Sequence, residues 1–164
     1  MNSEISYQPN FITEQQEREI LSVIPNIPDM NLDSLLCKRF RFGKYVHPYN
    51  TNYVSEIIPE IFNNINIALD FNSITINEFE KNHIIPFHID PIDAGEEIYV
   101  LSLCGRSEIA FRDSKGNTKL FNIEPKSLYI MRGDLRYNWQ HSAKALERRL
   151  SIVFRKSLSK QNDR

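Results

Sequence analysis

His88 and Asp90 stand two residues apart in the run P-F-H-I-D. On a strand, positions i and i+2 point to the same face, so an imidazole and a carboxylate at this spacing converge on one ion. A further histidine, His141, closes the run Y-N-W-Q-H at the end of another predicted strand. Two imidazoles and one carboxylate make up the facial ligand set suited to non-haem Fe(II) oxygen chemistry, with three coordination positions left open. By itself H-x-D is a short pattern, and a hydrogen-bonded His–Asp pair at a strand end accounts for it as readily.

A second group of residues bears on the choice. In R-R-L-S-I-V-F-R, Leu150, Ile152 and Phe154 fall on one side of a strand, and Arg149, Ser151, Val153 and Arg155 on the other. At about 3.3 Å per residue the Cα atoms of Arg149 and Arg155 lie roughly 20 Å apart, yet their long side chains can lean toward a ligand between them. Two inward guanidiniums are costly unless anions meet them, and a dicarboxylate would do so bidentately. The other reading pairs them with surface carboxylates such as Glu147, and it has most force for Arg148, which points the other way.

These residues need strands to hold them. Near the N-terminus, T-E-Q-Q-E-R-E-I-L reads as a helix with Thr13 as N-cap, Gln16 at the reciprocal capping position and Ile20, Leu21 and Ile24 as its apolar stripe. A second helix is expected after Pro59, with Ile61, Phe62, Ile65 and Leu69 at helical spacing. From Ile74 the period becomes two. I-T-I-N-E-F, E-I-Y-V-L-S-L, E-I-A-F-R, K-L-F-N-I, S-L-Y-I-M and R-L-S-I-V-F-R read as strands, separated by turns such as D-S-K-G-N and M-R-G-D. Helices followed by six or more uninterrupted strands predict an antiparallel sandwich or barrel.

Composition sets the limits. The chain has 164 residues, 20 basic and 21 acidic, for a net charge of −1. That length is one domain, spanning 1–164, and buries roughly 70% of its unfolded surface, enough for a core without metal or disulfide staples. No apolar run approaches about 18 residues and the N-terminus lacks the pattern of a signal peptide, so a cytoplasmic protein without a membrane span is expected. Cys37 and Cys104 form no C-x-x-C and read as reduced core residues. The near-neutral charge argues against a non-specific duplex binder; any nucleic-acid contact would come from a local patch.

The chain resembles the AlkB family of Fe(II)/2-oxoglutarate dioxygenases. The matching elements are N-E-F before H-I-D, then L-S-L, S-L-Y-I-M-R-G-D-L-R-Y-N-W-Q-H and R-L-S-I-V-F-R, in order from Asn77 to Arg155. The resemblance implies a mainly β domain with N-terminal helices, whose core is a double-stranded β-helix of the jelly-roll or cupin-like kind. Residues 1–73 would form the helical N-terminal part and 74–156 the catalytic core. It also implies that His88, Asp90 and His141 ligate Fe(II). Arg149 would bind the distal carboxylate of 2-oxoglutarate, with Arg155 near its chelating end, and Asn77 would match the family's co-substrate asparagine. Ser151 occupies a position that is asparagine in some members. The activity implied is oxidative decarboxylation of 2-oxoglutarate with O2, coupled to hydroxylation of a C–H bond. An N-methyl group so oxidised collapses to formaldehyde and the bare amine.

Two departures from the family pattern are visible. Phe79 stands where the family has a tyrosine whose hydroxyl helps hold 2-oxoglutarate; its loss removes a hydrogen bond worth on the order of 1 kcal/mol. Repair-type members also carry an acidic residue just after H-x-D, whereas here Pro91 and Ile92 intervene before Asp93. Either Asp93 takes that role from a shifted loop or cationic methylated bases are not the substrate. The strip from Lys38 to Tyr45 interleaves four cations with three aromatics and falls where the family places its nucleotide-recognition lid. Arg39, Arg41 and Tyr45 would there contact a single strand, with the lid spanning 37–48; the other reading is an edge strand protected by charge. Trp139 would line the pocket beside His141, or belong to the core. The expectation is a monomeric enzyme, with no obligate protein partner, that demethylates or hydroxylates a modified nucleobase in tRNA, other RNA or single-stranded DNA. The rivals are oxidation of a protein side chain and a non-catalytic nucleic-acid-binding member.

Overall fold

The computed structural model describes residues 5–24, 31–32, 37–43, 71 and 73–156. Eleven strands among them form two sheets. The larger sheet contains β1 (Ser6–Gln8), β2 (Asn31–Leu32), β3 (Cys37–Gly43), β4 (Ser73–Phe79), β6 (Glu97–Leu103), β9 (Ser127–Arg132) and β11 (Arg149–Arg155), in the order β1-β9-β6-β11-β4-β3-β2. The smaller contains β5 (Ile84–His88), β7 (Ser107–Arg112), β8 (Thr118–Ile123) and β10 (Gln140–Ala145), in the order β5-β10-β7-β8. Every pairing is antiparallel. From β4 onward the chain passes back and forth between the sheets, which is the double-stranded β-helix of a jelly roll.

Alternation along each strand of the larger sheet separates a core face from a cavity face. On β4, Ile74 and Ile76 enter the core while Thr75, Asn77 and Phe79 face the cavity. On β11, Leu150, Ile152 and Phe154 do the first, and Arg149, Ser151, Val153 and Arg155 the second. Helix α1 (Glu14–Val23) closes the core face. Ile12, Ile20 and Ile24 pack with Ile76, Leu101 and Phe154, each such burial contributing about 1.5–3 kcal/mol. The helix starts on a capping box: Gln16 N–H donates to Thr13 Oγ1 at 3.1 Å, and Thr13 N–H donates to Gln16 Oε1 at 2.8 Å. Its first turn is tied to the bend after β6 by Cys104 N–H donating to Glu17 Oε1 at 2.9 Å. With α1 on one face, the opposite face of the sheet is left for a site.

The N-terminal part supplies strands as well as helix α1. Three strands, β1 to β3, join the larger sheet from it, and β1 gains strand geometry by pairing with β9, Ser6 opposite Ile130 and Gln8 opposite Leu128. A three-residue strand is too short to show a period. The helix expected after Pro59 lies outside the described residues. The strip expected as a lid is strand β3 over 37–43, bonded to β4 on one side and β2 on the other, and 44–48 lie outside the described residues. The run M-R-G-D leads into a short helix, α2 (Gly133–Tyr137). Strands β5 and β10, which carry the two candidate histidines, show no clean alternation; β5 is an edge strand, which accommodates Pro86. Among the described residues, no helix is long and apolar enough to cross a membrane.

Candidate active site

His88 is the last residue of β5, and His141 the second of β10. They are Cα partners across that antiparallel pair, with ring centroids 4.2 Å apart. His141 thus opens its strand, where the sequence placed it at a strand end. The register shifts between His141 and Ala143, an irregularity of the kind that re-aims side chains beside active sites. Asp90 stands two residues beyond β5, its Oδ1 3.7 Å from His88 Nε2. One ligand atom from each of His88, Asp90 and His141 lies within 4.8 Å of the others. His88 Nδ1 is 2.8 Å from the Pro86 carbonyl oxygen, to which it donates as the Nδ1–H tautomer, leaving the Nε2 lone pair for a metal.

Electrostatics set these groups in ligand form. Burial alone would raise the Asp90 carboxyl; the His88 imidazole beside it and the charges of Arg155 and His141 overcome it and hold the group well below the usual carboxylate range. Burial pushes the His141 imidazole down to about 4, against the opposing pull of Asp90. At neutral pH the pair presents a carboxylate and a neutral imidazole, the states that bind a divalent cation. Imidazole nitrogen with carboxylate oxygen suits Fe(II) and its first-row neighbours.

Asp90 is fixed from two directions. Arg155 Nη2 is 3.7 Å from Asp90 Oδ1, and Arg155 Nη1 donates to Thr75 Oγ1 at 2.9 Å. Arg136, on α2 and 2% exposed, spends its guanidinium on backbone. It donates to the carbonyl oxygens of Asp90 at 3.0 Å, Pro91 at 2.5 Å and Gly95 at 3.2 Å. The loop that carries Asp90 is therefore clamped by a buried cation that touches none of the candidate ligand atoms.

A cavity of about 320 Å³ runs between the sheets, with these groups in its wall. Also in its wall stands Arg149, 2% exposed, whose Nε donates to Ser102 Oγ at 3.1 Å. Its Nη2 is buried and has no hydrogen-bond partner among the described residues. Burial lowers the pKa of this guanidinium, so the charge is held against a desolvation penalty. A carboxylate in the cavity would meet that orphaned nitrogen, so the site fits the co-substrate that the resemblance implies. Phe79 is the Cα partner of Arg149, and the guanidinium carbon lies 5.8 Å from its ring centroid. Asn77 and Ser151, likewise Cα partners, are buried in the cavity wall. Neither Arg149 nor Arg155 pairs with Glu147, whose carboxylate takes Arg106 at 2.9 Å, while Arg148 pairs with Glu78.

The substrate residues expected from sequence are less gathered. Arg39 is registered opposite Asn77 and Arg41 opposite Thr75; Tyr45 lies outside the described residues. Asp93 sits in a 3-10 turn (Ile92–Ala94) outside the cavity wall. Trp139 also stands outside it, because its Nε1–H donates to Asp134 Oδ2 at 2.8 Å and Lys119 Nζ covers its ring. Four contributors escaped the sequence reading: Thr75, Ser102, Tyr129 and Arg136. The alternation in S-L-Y-I-M-R places Tyr129 on the face shared by Ser127 and Met131, a signal that could have found it. Tyr129 is buried in the cavity wall beside the Arg149 guanidinium.

No protein-family model matches the chain. It is similar to the mouse (Mus musculus) protein "tRNA (carboxymethyluridine(34)-5-O)-methyltransferase ALKBH8", 29% identical over 80% of this chain and 23% of that protein. It is also similar to the Arabidopsis thaliana "Alkylated DNA repair protein ALKBH8 homolog", 25% identical over 81% of this chain and 48% of that one. The chain thus spans about a quarter of the first relative and about half of the second. Among solved structures, OsALKBH1 superposes with a TM-score of 0.67 at 13% identity, covering 94% of this chain and 99% of that one. An oxidoreductase of the 2OG-Fe(II) oxygenase family from Burkholderia pseudomallei gives 0.66 at 12% identity, over 93% of this chain and 84% of its own. A prolyl-4-hydroxylase from Pseudomonas putida gives 0.57 at 15%, over 94% and 93%.

Proposed function

We propose that this chain, which belongs to the AlkB-like 2-oxoglutarate/Fe(II) oxygenases, oxidises a modified nucleobase in RNA or single-stranded DNA, by demethylation or hydroxylation. The observation that carries the reading is one cavity walled both by a His–Asp–His group and by a buried guanidinium with an orphaned nitrogen. His88, Asp90 and His141 would hold Fe(II), and Arg149 would hold the distal carboxylate of 2-oxoglutarate. When bound there, Fe(II) with 2-oxoglutarate and O2 supplies the oxidation of a C–H bond, with succinate and carbon dioxide as co-products. The chain's own part is geometric. Arg136 and Arg155 set the Asp90 carboxylate, Pro86 sets the His88 tautomer, and the apolar wall of Ile98, Val100, Met131 and Val153 keeps bulk water from the centre.

Nucleic acid is favoured as the substrate by the names of the two relatives, a tRNA methyltransferase and an alkylated-DNA repair protein. It is favoured too by the basic and aromatic strip on β3, whose Arg39 and Arg41 are registered opposite two residues of the cavity wall. Asp90 is the one carboxylate among the described residues of that wall.

Nucleoside mass spectrometry tests this. Iron-loaded chain is exposed to air with pooled tRNA and with methylated single-stranded DNA, with and without 2-oxoglutarate. Loss of a methyl group or gain of one oxygen that requires 2-oxoglutarate is expected. Succinate formation with no nucleoside change would overturn the nucleobase reading in favour of a protein side chain.

A further inference from the structure

We propose that the hydroxyl of Tyr129 grips the distal carboxylate of 2-oxoglutarate together with Arg149, taking over the task that Phe79 cannot perform. The inference rests on the reading that a 2-oxo dicarboxylic acid occupies the cavity.

Two aromatic side chains flank the Arg149 guanidinium. Phe79 lies on β4 as its Cα partner, ring centroid 5.8 Å from the guanidinium carbon. It offers an apolar surface and a π-face but no donor. Tyr129 approaches from β9, two strands away on the other side. Arg149 extends along that direction, because its Nε already donates to Ser102 on the intervening β6. Tyr129 is 5% exposed and lies in the wall of the same cavity.

The donor count then decides what the phenol does. A guanidinium carries only N–H donors, so toward Arg149 the phenol of Tyr129 can act only as an acceptor, and the hydrogen bond that Arg149 makes goes to Ser102. That leaves the phenol O–H as a donor with no call on it from Arg149. Arg149 Nη2 is a second buried donor without a partner. Two unspent donors in one wall match the two oxygens of one carboxylate. Burial pushes the phenol above its ordinary range, which keeps it a donor at neutral pH. The hydroxyl missing from β4 is in this way supplied from β9.

The test is calorimetric, on the full chain loaded with Mn(II) under anaerobic conditions, so that binding is read without turnover. Tyr129→Phe should weaken 2-oxoglutarate binding about tenfold or more, the range for a hydrogen bond to a charged group. Pyruvate, which has the same 2-oxo acid end and no distal carboxylate, should bind equally to both proteins. Adding Phe79→Tyr to the variant should recover part of the lost affinity, and circular dichroism should show the same fold throughout. Equal weakening of 2-oxoglutarate and pyruvate overturns the assignment. So does unchanged 2-oxoglutarate affinity in Tyr129→Phe where Arg149→Gln abolishes it, and that outcome leaves the co-substrate reading standing. Failure of the unaltered protein to bind 2-oxoglutarate overturns both.

Discussion

His88 and His141 are Cα partners on neighbouring antiparallel strands, and that register brings their rings to 4.2 Å. The candidate metal centre is a product of strand pairing: a one-residue slip of β5 against β10 would turn one histidine to the opposite face. Only Asp90 is added from outside the sheet, by a loop.

If these three residues hold the metal, His141→Ala should lose tight binding of Mn(II) or Co(II) by more than about 100-fold, since removing even outer partners costs 10–100-fold. Co(II) absorption titrated anaerobically reads this directly. The variant should keep its fold, because a half-buried side chain at a strand start is removed from a cavity. Metal affinity equal to that of the unaltered chain would sink the assignment.

Arg136 tests how the Asp90 loop is positioned. Arg136→Met retains the stem and removes three donors from the carbonyls of Asp90, Pro91 and Gly95. Leaving buried carbonyls unmet should destabilise the protein by about 2–4 kcal/mol. It should also lower metal affinity by about 10–100-fold although Arg136 is no ligand. Urea denaturation and metal titration measure the two effects; a loss of stability with intact metal affinity would show the clamp to be purely structural.

Gly95 and Gly116 make a matched pair. Gly95 adopts φ +108° and a Cβ there would lie 2.5 Å from the Lys156 carbonyl oxygen, whereas Gly116 adopts φ +88° with nothing within 4 Å. Gly116→Ala should incur backbone strain alone, about 1 kcal/mol, while Gly95→Ala adds a clash with rigid backbone and should destabilise by about 3 kcal/mol or more. Thermal unfolding of the two variants side by side checks the order, which equal shifts would contradict.

The period of two was legible on β7 because one face alone is deeply buried, and on β4 and β11, buried on both faces, because polar side chains line the cavity face and apolar ones fill the core face; that parity placed Arg149, Ser151 and Arg155 together on the cavity face. The capping box at Thr13 and Gln16 was legible because it is local. Strands β5 and β10 were not, since a Pro-containing edge strand and a strand with a register shift carry no clean alternation. Arg136 was hidden for a different reason: its partners are backbone carbonyls some 41 to 46 residues away, which no side-chain pattern announces. For Trp139 the sequence left pocket and core both open, since proximity to His141 says nothing of direction; the side chain packs against the core and its indole N–H turns to Asp134.

The strip on β3 gives the last expectation. Antiparallel register sets Arg39 opposite Asn77 and Arg41 opposite Thr75, and both partners lie in the cavity wall. Directly opposed residues share a sheet face, so the two arginine positions belong to the sheet face that carries the cavity wall. If they meet phosphates of a single strand, each contributes about 0.7 to the slope of log affinity against log salt. The double variant Arg39→Ala, Arg41→Ala should then bind a labelled single-stranded RNA oligonucleotide more weakly at low salt, with a slope shallower by about 1.4. Fluorescence anisotropy over a salt series separates this from a general loss of fold, which would remove binding at every salt concentration. Unchanged affinity and slope would return the strip to a purely structural role as a charged strand near the sheet edge.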